Sequence, residues 1–302
     1  MTNFAATSVH PGEAGDPVRA VSVVSTGQVE IHPEHALGTR KPLYWWLLTS
    51  RRWMAPRPIN VYVIEHERGL VVFDTGQDRA SVTDGAYFPS GPTGVIYDRL
   101  ARFRIGAEES LDAQLETLGY SGADVDTAIV SHLHQDHIGG LSSLSQARLL
   151  VARREWAELS GRAPEARGFL RRHIDVPGRA WELFDLDETA DASVAPFTRS
   201  LDIFGDGSLV LLPTPGHTAG STSLLVRRRS GPPLLMVGDL TYGAELLERG
   251  VLPGVGERSG LAASSEAVRE LARNLPGLVV LPAHDPTAAA RLWAAAGQRR
   301  SR

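Results

Sequence analysis

Ser131-His132-Leu133-His134-Gln135-Asp136-His137-Ile138-Gly139-Gly140 places three imidazoles and a carboxylate within six residues, directly after the apolar run Thr127-Ala128-Ile129-Val130. A strand that ends in a tight loop can turn His132, His134, Asp136 and His137 inward together, whereas a continuous strand or helix would scatter them over opposite faces. The Gly139-Gly140 pair lets the chain turn sharply beside whatever the four side chains hold. This is the pattern of a metal site.

Three further potential ligands follow apolar strands elsewhere: His217 after Leu211-Leu212-Pro213-Thr214-Pro215-Gly216, Asp239 after Leu235-Met236-Val237-Gly238, and His284 after Val280-Leu281-Pro282-Ala283. Each alone reads as a turn or capping residue; beside the metal loop they extend a ligand set to five His and two Asp. Seven ligands exceed one tetrahedral zinc, and a site with an open position needs only three from the protein. Two ions fit better. If Asp239 bridges, one ion takes His132, His134 and His217 while the other takes Asp136, His137 and His284. Ions so placed lie about 3.5–4 Å apart, and water between them ionises near neutral pH. Imidazole and carboxylate favour Zn2+, while manganese, iron and cobalt accept the same donors.

Composition narrows the class. The chain is 42 % hydrophobic and 22 % charged with a formal net charge of −4, as in ordinary globular proteins, and a cytoplasmic location is expected. It has no cysteine, which removes disulfides, thiolate ligands and thiol nucleophiles. The arginine clusters are short, scattered and free of aromatic interleaving, so they read as solvated surface and no nucleic-acid partner is expected. Arg227-Arg228-Arg229 with Ser230-Gly231-Pro232-Pro233 reads as an exposed turn between two strands. Residues 1–20 lack an apolar signal region and read as a flexible tail before a single domain spanning 21–302. Tyr44-Trp45-Trp46-Leu47-Leu48 is too short to cross a bilayer and fits core packing or a hydrophobic lip over a pocket.

The order of elements indicates an α/β architecture. Ile59–Ile64 and Leu70–Phe73 read as a hairpin, followed by strands at Asp126–Val130, Ala147–Val151, Ser208–Leu212, Thr222–Val226, Leu234–Val237 and Leu278–Leu281. Helical spacing covers Glu108–Leu118 and Glu266–Leu275, and Asp285 with Pro286 opens a helix running to about Ala296. Strands followed by helices, twice over, predict two sheets packed face to face with helices outside. The Gln77–Gly106 stretch shows no clear periodicity, and a loop that long in a compact domain is usually functional.

The motif H-x-H-x-D-H, followed by Thr214-Pro215-Gly216-His217-Thr218, the strand-end Asp239 and the late His284, resembles the metallo-β-lactamase superfamily from about Ile59 to Asp285. The resemblance implies a four-layer αββα sandwich with a dinuclear site at one edge. It also implies that Asp74, in Asp74-Thr75-Gly76, buttresses the metal loop and orients ligands. Within the superfamily the chain is most similar to the N-acyl-homoserine lactone lactonases of quorum quenching. The matching features are Asp239-Leu240-Thr241-Tyr242, Val151-Ala152-Arg153-Arg154-Glu155-Trp156 and His284-Asp285.

That likeness implies hydrolytic opening of a lactone ring: a metal-bridging hydroxide attacks the carbonyl, Tyr242 and the ions stabilise the oxyanion, and Asp136 passes a proton to the leaving alkoxide. The implied partner is a small lactone or ester, with no membrane partner and a homodimer compatible with the sequence. The Trp45-Trp46 and Pro89–Gly94 segments depart from the shorter lactonases and are expected to border the pocket. A glyoxalase II-like thioesterase or a phosphotriesterase could use the same donors, and a mononuclear-iron sulfur dioxygenase could use His132, His134, His217 and Asp239.

Overall fold

The computed structural model describes residues 7–9, 15–175, 178–229 and 231–297. Among them, eight strands form one sheet: β1 (Thr7–Val9), β2 (Val18–Ile31), β3 (Arg57–His66), β4 (Gly69–Phe73), β5 (Ala101–Arg104), β6 (Val125–Ile129), β7 (Arg148–Ala152) and β8 (Trp181–Phe184). Six form the other: β9 (Asp187–Glu188), β10 (Arg199–Asp202), β11 (Leu209–Pro213), β12 (Thr222–Val226), β13 (Leu234–Met236) and β14 (Val279–Leu281). The first runs in the order β1-β2-β3-β4-β6-β7-β8, with β5 on the far half of β2; the second runs β14-β13-β12-β11-β10-β9.

Alternating side chains build the layers, because successive residues of a strand point to opposite faces. On β3, Tyr62 and Ile64 join Val71, Phe73, Leu211, Leu224, Val226 and Met236 in the core between the sheets. Val61 and Val63, the intervening positions, instead pack with Leu111 and Leu115 of the helix Leu111–Glu116 on the outer face. Behind the second sheet, Val210, Leu212, Leu225 and Leu235 meet Leu261, Val268 and Leu271 of the helix Arg258–Asn274. The result is the expected αββα sandwich. No helix among the described residues is long and apolar enough to cross a membrane.

The strands that carry the candidate ligands end on one side of this sandwich. β4 and β6 run parallel, as do β13 and β14, so the loops leaving β4, β6, β13 and β14 emerge at matching ends. Main-chain bonds from Asn60 N–H to Ala283 O (2.9 Å) and from Ala283 N–H to Gly238 O (3.0 Å) join the two sheets there.

Several local expectations change. The tail expected over residues 1–20 gives way to structure earlier: β2 begins at Val18, and Thr7–Val9 pairs with Val21–Val23. β2 pairs with β3 from Val18 onward and buries Val18 and Ala20, which a solvated tail could not do. The basic segment does join β12 to β13 and Arg229 is exposed, but Arg228 is buried and its guanidinium donates to Pro232 O at 3.1 Å; Ser230 lies outside the described residues. The helix expected from Asp285 begins at Ala288; Asp285 keeps the capping contact, its Oδ1 accepting from Thr287 N–H, while its Oδ2 accepts from Ala244 N–H. The helix expected at Glu266 begins at Arg258, where the Glu257 carboxylate caps the N–H groups of Ser259 and Gly260. The unpatterned 77–106 stretch folds into helices Ala80–Thr83 and Gly91–Leu100 and strand β5.

Leu224, fully buried between the sheets, tests this arrangement. Leu224→Ala is expected to lower unfolding free energy by about 2–5 kcal/mol, read from urea denaturation, while metal content stays unchanged.

Candidate metal centre

All seven expected ligands converge. Three groups of ligand atoms lie within 4.8 Å of one another: His132, His134 and His217; His132, His137 and Asp239; and Asp136, His137 and His284. Asp239 stands between the outer two. Its Oδ2 is 3.5 Å from His217 Nε2, and its Oδ1 is 3.3 Å from both His137 Nε2 and His284 Nε2. Asp136 lies on the second group, with Oδ2 3.5 Å from His284 Nε2.

Four of the imidazoles are held from behind, which fixes the nitrogen each presents, whereas His217 Nδ1 has no hydrogen-bond partner among the described residues. His284 Nδ1 meets Pro58 O at 3.0 Å, His134 Nε2 meets Arg167 O at 3.1 Å, and His137 Nδ1 meets Asp74 Oδ2 at 2.8 Å. A ring nitrogen facing a carbonyl or carboxylate carries a proton, so in the neutral ring the opposite nitrogen is bare. Burial opposes charge on His137 and His284, but Asp74 and Asp239 raise the pKa of the first and Asp239 and Asp136 that of the second, so a metal ion bound there would displace their inner protons. Ser131 Oγ, which donates to Asp74 Oδ2, accepts in turn from His132 Nδ1 at 3.0 Å. Bare His134 Nδ1 therefore faces bare His132 Nε2 at 3.1 Å and lies 2.9 Å from His217 Nε2. Lone pairs this close repel unless a cation lies among them. His137 Nε2 and Asp239 Oδ1 likewise have no hydrogen-bond partner although buried. The donor set thus fits divalent metal ions and leaves little else that could satisfy it. Burial pushes the His132 and His217 pKa values well down, which keeps both neutral and available as ligands. Burial opposes charge on Asp239, but His284 and His137 hold its carboxyl well below the usual range.

Two carboxylates hold the loops. Asp74, in the left-handed region at φ 62°, accepts from Ser131 N–H (2.7 Å), Ser131 Oγ and His137 Nδ1. An L-residue in this conformation is uncommon and marks a position whose surroundings enforce it. Glu155 was not among the expected site residues. It is fully buried and accepts from Leu133 N–H (2.9 Å), Thr218 Oγ (2.7 Å) and Gly220 N–H (3.0 Å), clamping the His132–His137 loop to the His217 loop. Burial raises its pKa to about 7 against the pull of those three donors. The signal available in the sequence was an acidic residue four positions after Val151, inside the Val151–Trp156 block.

Above the ligands opens a mostly apolar pocket. Leu43, Tyr44 and Leu47 of the helix Leu43–Thr49 line one wall; Ile96, Tyr97 and Phe103 of the 77–106 stretch line another. The two roles expected of the aromatic run divide along it: Trp46 is buried against His32 and His35, Tyr44 and Leu47 line the pocket, and Trp45 is 62 % exposed. At the pocket floor Tyr242 Oη donates to Asp239 Oδ2 at 2.9 Å. Burial, then Asp239 and Asp136, push its phenol pKa well up, so the proton stays on the oxygen. His35, which no motif singles out, lies 2.8 Å from Tyr242 Oη through its Nε2. Arg57 fixes the same corner by donating to Tyr242 O (2.5 Å) and His284 O (3.1 Å).

The sequence model of the metallo-beta-lactamase superfamily matches residues 54–284, which spans β3 to the last candidate ligand. The chain belongs to the metallo-beta-lactamase superfamily. A superfamily member from Azorhizobium caulinodans, named N-acyl homoserine lactonase AttM, is 31 % identical over 235 residues, covering 76 % of this chain and 83 % of the relative. An N-acyl homoserine lactonase from a Bacillus species is 29 % identical over 208 residues, covering 69 % and 73 % of the two chains. The relatives are thus named as hydrolases, and the superfamily's fold implies divalent metal ions. Among solved structures, an N-acyl homoserine lactone hydrolase with N-hexanoyl-L-homoserine at its catalytic metal centre superimposes with a TM-score of 0.70 at 19 % identity, covering 88 % of this chain and 93 % of that one. AidC, described as a dizinc quorum-quenching lactonase, gives a TM-score of 0.60 at 16 % identity over 93 % of this chain and 91 % of its own. At these identities the two structures establish the superfamily fold.

Glu155→Gln keeps the shape of the clamp but replaces an acceptor with an NH2 group that faces N–H and O–H donors. It is expected to cost about 1–3 kcal/mol of stability by urea denaturation. Metal affinity, measured against a competing chelator, should fall about 10- to 100-fold, because the clamp aims two ligand loops.

Proposed function

We propose that this protein is a dinuclear metal-dependent lactonase that opens the ring of N-acyl-homoserine lactones, its machinery carried in a single domain. The observation that carries this reading is the placement of the Tyr242 hydroxyl, 2.9 Å from Asp239, where two ligand groups meet at the floor of an apolar pocket. A polar head with a reactive carbonyl and an apolar tail suit such a site, and the names of the relatives at about 30 % identity point the same way.

His132, His134 and His217 would hold one ion and Asp136, His137 and His284 the other, with Asp239 shared. When bound, divalent ions supply Lewis acidity toward the carbonyl oxygen and a water of lowered pKa; Zn2+ is the expected metal for these donors. Tyr242, its proton retained by burial, donates to the carbonyl oxygen as negative charge develops there. Water's oxygen adds to the acyl carbon as its proton passes to Asp136, and collapse of the adduct breaks the ring C–O bond. The leaving alkoxide needs a proton, and Asp136, on the pocket side of the His284 group, is placed to deliver it. The product is the open hydroxy acid. A mononuclear-iron site built from His132, His134, His217 and Asp239 would leave Asp136 and His284 without a ligand role, which supports two ions.

Incubating the purified protein with short- and long-chain acyl homoserine lactones and following acid release tests the assignment; turnover of thioesters with no lactone turnover would overturn it. About two divalent ions per chain are expected by elemental analysis, and His217→Ala should reduce that number and abolish activity. Tyr242→Phe should lose about 10- to 100-fold in kcat/KM with both ions retained, since the ions still carry part of the oxyanion charge. Ile96→Trp should narrow the apolar wall, so that long acyl chains lose more kcat/KM than short ones. Trp46→Ala, which the sequence alone would have chosen for that test, should instead destabilise the fold by about 3–5 kcal/mol in urea denaturation.

A further inference from the structure

Tyr242 has one hydroxyl proton and two neighbours. Asp239 Oδ2, at 2.9 Å, is a carboxylate oxygen and can only accept, so the phenolic proton lies on that side. The hydrogen in the 2.8 Å contact between Tyr242 Oη and His35 Nε2 must then belong to His35. His35 is therefore neutral and protonated at Nε2, with Nδ1 bare. Two observations agree. Burial pushes the His35 pKa down to about 4, which keeps the ring neutral near pH 7. The neighbouring Trp46 Nε1, a group that can only donate, is buried without a partner, as is His35 Nδ1; the ring centroids are 6.1 Å apart. Among the described residues no acceptor faces His35 Nδ1, so a proton there would be a buried donor without a partner.

The position of His35 is itself fixed. It lies in the short helix Pro33–Leu37, and Gly254 N–H donates to its carbonyl at 2.8 Å. The helix ends at Gly38, whose φ of 73° and whose contact with the Leu252 carbonyl leave no room for a Cβ.

We propose that His35 is a positioning residue: its Nε2–H occupies a lone pair of Tyr242 from behind and so keeps the phenolic proton directed into the metal site, where the substrate carbonyl must sit. The proposal rests on the lactonase reading for its kinetic consequence. Were His35 to accept from Tyr242, the only phenolic proton would be directed at His35 instead of the metal site and no oxyanion donor would remain. His35 thereby also joins the segment carrying the pocket residues Leu43, Tyr44 and Leu47 to the reacting end of the site.

The tautomer is measured on the metal-loaded wild-type protein by 15N imidazole NMR, the His35 resonances being those lost in His35→Gln. Protonated Nε2 with bare Nδ1 at pH 7 is expected; an Nδ1–H tautomer or an imidazolium overturns the proposal, whatever the substrate proves to be. Kinetics then compare two replacements of similar size, of which only Gln can donate. His35→Met should lower kcat about 3- to 10-fold with KM changed less than about 2-fold, and His35→Gln should recover most of that loss. In a Tyr242→Phe background, His35→Met should change kcat by less than about 2-fold, since the hydroxyl it serves is gone. Independent, multiplying losses, equal losses in Met and Gln, or a fall in metal content with His35→Met would each overturn it. Should His35→Met fail to fold, the wild-type tautomer and the Gln variant still decide. Absence of lactone turnover by the wild-type protein defeats the substrate reading and leaves the tautomer result standing.

Discussion

Bare imidazole nitrogens about 3 Å apart are mutually repulsive, and much of this structure serves to hold them there. His132 and His134 approach so closely because each loop is anchored elsewhere, not because the rings attract. Asp74 and Pro58 O take the protons of His137 and His284, and Arg167 O that of His134, so that the opposite nitrogens are aimed inward. The strain shows in the left-handed backbone of Asp74 and in the buried carboxylate of Glu155, both tolerable only inside a well-packed frame. Divalent cations among these nitrogens turn the repulsion into coordination, so metal binding and the stability of this edge are linked.

The sandwich makes that possible by dividing the work between its sheets. The first sheet contributes the His132–His137 loop and Asp74 from adjacent parallel strands; the second contributes His217, Asp239 and His284. A site assembled across two rigid sheets is held more firmly than one on a single loop. The main-chain bonds linking Asn60, Ala283 and Gly238 set the distance between the halves. Above this rigid floor, the walls come from less regular chain: the helix Leu43–Thr49 and the 77–106 stretch. Change in the walls can alter which apolar tail fits, while the ligands stay fixed.

The local patterns that named the ligands were legible because metal chemistry restricts residue type and spacing. Few structural roles other than metal ligation call for H-x-H-x-D-H, and His217, Asp239 and His284 each follow a strand whose apolar run is plain. The strands themselves were found where the apolar run was plain and missed elsewhere: the start of β2, Val18 to Ala20, was read as part of the N-terminal tail, and the rest of it was assigned no strand despite Val21, Val23 and Val24. Helix starts moved by several residues where side chains had several partners. Asp285 serves Thr287 and Ala244 at once, and no pattern within the helix encodes the second contact.

Short motifs at strand ends were enough to read the superfamily, the αββα order of elements, all seven candidate ligands and the Asp74 and Tyr242 positions from the letters alone. What lies across the chain from those motifs is a property of the folded molecule. His35 and Tyr242 are separated by 207 residues yet share a hydrogen bond, and Glu155 reaches Thr218 across 63. Neither separation leaves a local trace. Likewise Trp45 and Trp46 are indistinguishable as letters, and only the packing of one short helix sends the first to solvent and the second into the core. Local spacing encodes which groups can act together on one loop; the meeting of distant groups depends on how the two sheets close over their shared core.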